Sequence, residues 1–195
     1  MKINTLPKQI LFYFITTILA LLPLVYLTFK ILNHTGGEFF KPILHFLGDW
    51  SMYFLVLAIF FGFFSAIKKQ LIYRQILRLF GLWSLIYAIL HIFIYLVSEV
   101  DITKPLNVLL ELRRAYLFYG LVAFLLILFL VVLSFTKKFN KVASLAYIAG
   151  ILGAVHYMLS TKLPENLSYA FFILIGVLLG IRLLYSKKSF KKGKQ

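Results

Sequence analysis

Two of the four histidines, His91 and His156, sit where an imidazole is expensive to place. Each falls inside a long window free of Asp, Glu, Lys and Arg, residues 79–98 for the first and 142–161 for the second. An ionisable residue in such a window is a functional candidate by default. Their depths agree. His91 precedes Glu99 by roughly 12 Å of helix and His156 precedes Lys162 by roughly 9 Å, at 1.5 Å per residue. His45 lies only about 6 Å past Lys41 and so near the same layer. His34 belongs to a polar connection, Asn33-His34-Thr35-Gly36-Gly37, and reads as a loop residue. There is no cysteine, which excludes disulfides, iron–sulfur clusters and every form of thiolate attachment.

The windows hold no acid, so a histidine–carboxylate metal centre is disfavoured, and a proton relay would want Asp or Glu chains. Haem fits better, because it needs one axial nitrogen on each face of a flat apolar macrocycle. It also needs a slot. Gly81, Ser84 and Ala88 precede His91 by ten, seven and three residues, and Ala146, Ala149 and Gly153 precede His156 by the same intervals. At helical spacing each set shares a face with its histidine. The competing reading is ordinary close packing through small residues, with each imidazole neutral and bonded to a neighbouring helix. No histidine lies in the inner half of any window, and Met52 and Met158 fall in outer parts. One haem b per chain is therefore expected, in the outer half, with His45 as a further candidate for its surroundings.

The elements that must hold these residues are helices in lipid. Of 195 residues, 62% are hydrophobic and 14% charged, and the mean hydropathy is +0.94. Soluble domains run near 45–50% and about 25%. This excludes a soluble enzyme and a disordered tail. Charge-free stretches of about 20 residues predict six spanning helices, at about 9–32, 44–67, 78–98, 115–136, 142–161 and 166–185. The fold class is an all-α integral membrane protein, a six-helix transmembrane bundle. Pro23 is expected to bend the first helix. That helix is too long for a signal-peptide core, and no small-x-small cleavage pattern follows it. Val108, Leu109, Leu110 and Leu112 predict a short interfacial helix in the longest outward connection. No internal repeat is visible.

Charge sets the orientation. Six helices put both termini on one side, together with the second and fourth connections. That side collects fifteen of the 21 Lys and Arg residues and none of the six acids. Basic loops stay in the cytoplasm, so both termini are expected there. The net charge of +15 then reflects topology and attraction to anionic lipid headgroups rather than a nucleic-acid partner. The tail from Lys187 reads as a solvated basic stop.

Arg78-Leu-Phe-Gly-Leu-Trp83 followed by His91 resembles the third-helix pattern of the MsrQ (YedZ) family. Leu21-Leu22-Pro23, Asn33-His34, His45-Phe46-x-Gly48, Arg114-x-Tyr116-Leu117-x-x-Gly120 and His156-Tyr157 fall where that family has similar segments. The resemblance spans nearly the whole chain, as one ferric-reductase-like transmembrane domain over 1–195. It implies the haem-binding membrane subunit of a periplasmic methionine-sulfoxide reductase system in the bacterial inner membrane. His91 and His156 match the family's haem ligands. Electrons would come from the quinone pool or a flavin reductase and pass to a periplasmic molybdopterin catalytic subunit, and FMN is also associated with the family. The chain would be an electron-transfer subunit of an oxidoreductase complex rather than its catalytic subunit. Where the family often has a further histidine, thirteen residues before the second ligand, this chain has Ala143. The alternatives are a ferric-reductase-like cytochrome with another acceptor, or a non-redox scaffold or permease.

Overall fold

In lipid no water is available to bond exposed peptide groups, so an apolar segment satisfies its own backbone as a helix. The computed structural model describes residues 6–68, 71–100, 110–111, 113–136, 139–160 and 166–192. Six long helices account for most of them: α1 (Leu6–Leu32), α2 (Phe40–Lys68), α3 (Leu71–Ser98), α4 (Ala115–Ser134), α5 (Leu145–Ser160) and α6 (Asn166–Lys192). There is no strand among the described residues.

All but α5 are long and apolar enough to cross a membrane, which makes this a multi-pass membrane protein. The predicted helix 142–161 is interrupted. A single helical turn, Phe139–Val142, is followed by a bend at Ala143 and Ser144. The amides of Ala146 and Tyr147 bond back to those two carbonyls at 3.3 and 3.1 Å, which closes the first turn of α5. The 16 residues of α5 span roughly 24 Å, against a hydrocarbon core of about 30 Å.

Other boundaries also move. Helix α2 starts at Phe40, because Pro42 is tolerated in a first turn, where its missing N–H has no partner to lose. Helix α3 starts at Leu71, and Arg74 and Arg78 sit within it, as arginine's long apolar stem allows near a helix end. Helix α6 continues to Lys192, so the basic stop is largely helical. Helix α1 remains one helix through Pro23. The predicted interfacial helix over 108–112 falls mostly outside the described residues.

The bundle is built from two helix pairs. Helix α2 packs along α3, and α4 along α5. Contacts of α3 with α4 and of α2 with α5 join the pairs, and α6 covers α5 and α2. Ser51 and Ser84 clasp α2 to α3, each hydroxyl donating to the other's carbonyl at 3.0 Å. Helix α1 lies at the edge, where Ala20 and Leu27 meet Trp83 and Tyr87. The Tyr87 hydroxyl donates to the Ala20 carbonyl at 2.8 Å. Phe14, Leu22, Phe29, Val132, Ile173 and Leu184 point away from the bundle, as side chains facing lipid do.

Candidate functional site

His91 belongs to α3 but is held by α2. Its Nδ1 donates to the Leu44 carbonyl at 2.9 Å. One helical turn further along α2 is Gly48, where an added Cβ would stand 3.1 Å from the imidazole. The second pair repeats this arrangement. His156 of α5 donates through Nδ1 to the Tyr116 carbonyl of α4 at 2.7 Å, and one turn further is Gly120. A Cβ there would stand 2.6 Å from Nδ1.

A carbonyl only accepts, so both Nδ1 atoms carry the hydrogen. Each neutral ring then keeps its lone pair on Nε2, the tautomer that the ligand histidines of metal sites adopt when their other nitrogen is tied to a carbonyl. The two ring centroids are 6.2 Å apart, with the planes at 87°. An imidazole nitrogen sits about 2 Å from a bound metal and about 1.1 Å from its own ring centre, so two imidazoles holding one metal from opposite sides would have centroids about 6.2 Å apart. Among the described residues no group of three or more His, Cys, Asp or Glu converges.

Both rings line a cavity of about 680 Å³ between the helix pairs, within the usual range for a small-molecule site. Its floor is apolar, with Leu55, Ala88, Phe124, Ile127 and Gly153. Its rim is polar. The Tyr95 hydroxyl donates to Glu111 at 2.8 Å, and Glu111 pairs with Arg114 at 3.1 Å. Beside them Glu38 and Lys41 form an exposed pair at 3.7 Å. The shape suits an amphipathic ligand whose apolar body enters and whose polar edge stays at the rim.

The predicted site residues separate into two groups. His91 and His156 meet, and Ala88 and Gly153 line the cavity beside them. His45 lines its outer part and is exposed. Gly81, Ser84, Ala146 and Ala149 are not in the cavity wall. Gly81 faces Val131 of α4, which an added Cβ would meet at 3.8 Å, and Ser84 serves the clasp to Ser51. Ala149 is fully buried in the apolar core, with Ala146 packed against that core. The cavity closes below the histidines, so only the stripe residue nearest each histidine reaches it. Leu44, Gly48, Tyr116 and Gly120 escaped sequence reasoning as site residues. Their signal is a glycine four residues after the accepting carbonyl, present once in each pair.

No family model, no curated protein and no solved structure matches this chain.

Proposed function

We propose that this protein is a membrane electron carrier that holds one b-type haem between His91 and His156. The observation that carries the reading is the imidazole pair: two rings fixed as Nδ1–H tautomers, 6.2 Å apart, on an apolar-floored cavity between two helix pairs. A packing histidine needs a hydrogen-bond partner, and each of these has one. It does not need a second imidazole at the separation of two axial ligands, nor a cavity beside it.

Haem bound there would supply reversible one-electron chemistry. The residues of the chain do the rest. The Leu44 and Tyr116 carbonyls make the imidazoles better donors by accepting from Nδ1. Leu55, Phe124 and Ile127 keep the floor dry, which raises the cost of net charge on the centre and so tunes its potential. The rim from Tyr95 to Arg114 leaves one edge near the surface, where an acceptor can approach.

The one-sided basic residues support cytoplasmic termini and a haem in the outer half of a bacterial inner membrane. The other half then needs a further carrier, a quinol or a flavin such as FMN. The resemblance to the MsrQ (YedZ) family supports the rest of the chain of transfer: a donor in the quinone pool or a flavin reductase, and a periplasmic molybdopterin methionine-sulfoxide reductase as acceptor.

Protein purified from haem-replete cells tests the reading. A Soret band with sharp α and β bands on reduction is expected. A colourless, correctly folded preparation would sink it.

A further inference from the structure

A helix carbonyl is already engaged by the amide four residues later. A second donor must reach it from the side, past the Cβ of that later residue. At Leu44 and at Tyr116 an imidazole does so, and in both cases the later residue is glycine. The two approaches are not equally tight. At Gly48 an added Cβ would lie 3.1 Å from Cε1 and Nδ1 of His91, a crowding that a shift of a few tenths of an ångström relieves. At Gly120 it would lie 2.6 Å from Nδ1, 2.9 Å from Cε1 and 3.1 Å from Cγ of His156, closer than real Cβ contacts come. The shorter hydrogen bond is also on that side, 2.7 Å against 2.9 Å.

We propose that Gly48 and Gly120 are positioning residues for the two imidazoles, and that they are unequal: His156 is the rigidly seated axial ligand and His91 the yielding one. As a statement about ligands this rests on the haem reading above; as a statement about imidazole seating it does not. Gly120 acts by leaving the ring no alternative position. A side chain there pushes the ring off the Tyr116 carbonyl and frees the tautomer, so Nε2 is no longer held in one place. Gly48 gives His91 the same support with slack, so the α2–α3 side absorbs changes in the cavity.

The test uses the full-length holoprotein with Gly120→Ala, Gly48→Ala and Gly81→Ala. The last is the control, since a Cβ there meets only Val131 at 3.8 Å. Alanine is the better helix former, so none of the three should suffer through propensity. Gly81→Ala should keep the wild-type spectrum. Gly120→Ala should convert the six-coordinate low-spin spectrum to a five-coordinate high-spin one and weaken haem binding by about 10–100-fold, as losing the support of a ligand histidine does. Gly48→Ala should stay low-spin, with weakening below about tenfold and a displaced midpoint potential. A wild-type spectrum and affinity in Gly120→Ala, or a larger effect from Gly48→Ala, would overturn the proposal.

Should Gly120→Ala fail to accumulate, the double variant Gly120→Ala/His156→Gly removes the clash. It should accumulate and take up haem when free imidazole is added. Failure of the double variant as well would show that Gly120 serves something other than the imidazole, which also overturns the proposal. A colourless wild type would count against the haem reading alone. Histidine nitrogen NMR would then decide the seating: Nδ1–H on both rings in wild type, lost at His156 in Gly120→Ala. An unchanged His156 tautomer would overturn it.

Discussion

The same helices build two unlike interiors. In the histidine half, α2–α3 and α4–α5 stand apart around a cavity, and Gly48 and Gly120 meet imidazoles. In the opposite half the pairs close on each other. Gly150 of α5 there receives the Cδ1 atoms of Ile59 from α2 and Ile175 from α6, at 2.6 and 3.1 Å from where its Cβ would be. Ile59, Tyr147 and Ile175 are essentially without exposure. Arg182 lies over the Tyr147 ring at 5.1 Å, closing that end. The missing side chain of a glycine thus does different work in each half: beside a histidine it opens a carbonyl to a donor, and beside an isoleucine it lets helices approach. What separates a site from a core here is the residue on the facing helix, not the small residue itself.

Removing either imidazole should have the largest effect and should act on one half only. His91→Ala and His156→Ala are each expected to abolish low-spin haem binding, read from the reduced spectrum, while His34→Ala keeps it. Normal expression with full haem in either of the first two would remove that residue from the ligand pair. His45, exposed on the outer part of the cavity wall, should give a partial effect at most.

Sided labelling assigns the halves to membrane faces with an all-or-none readout. Cysteines at Lys188 and Lys104 should react from opposite sides, with Lys188 cytoplasmic. Labelling of Lys104→Cys from the cytoplasm alone would invert the topology and place the histidine half inside.

The opposite half should answer to packing rather than to ligand chemistry. Ile59→Ala is expected to lower stability by about 2–4 kcal/mol through the cavity it leaves. It should leave the haem-to-chain ratio unchanged. Loss of haem with unaltered stability would mean that the two halves are not separable. The smallest change is expected at their junction. Ser84→Ala removes one hydroxyl of the clasp, worth about 0.6 kcal/mol for a hydrogen bond between membrane helices. A melting shift well beyond that would make the clasp a structural keystone.

Much of this was legible along the chain. Charge-free windows located all six helices, because lipid makes charge the costliest guest. Equal depth and the matched small residues ahead of them paired His91 with His156, whose rings lie 6.2 Å apart. The stripes were legible only at their ends: Ala88 and Gly153 line the cavity, but Gly81, Ser84, Ala146 and Ala149 lie where neighbouring side chains have closed it. Such closure depends on Val131, Ser51 and the apolar core, which no spacing within one helix encodes. For the same reason the glycine cradles were hidden. Gly48 matters through a histidine 43 positions away and Gly120 through one 36 positions away. The break at Ala143 and Ser144 falls just past Lys141, at the edge of the charge-free window, and no proline marks it.

The stoichiometry of haem tests the difference between the halves most directly. A pyridine haemochrome assay against protein concentration should give one haem per chain. The histidine half has two imidazoles and a cavity, while the opposite half is filled by Ile59, Tyr147 and Ile175, with Ala143 in the break that precedes α5. A ratio near two would contradict this, since the packed half would then have to open and supply ligands of its own.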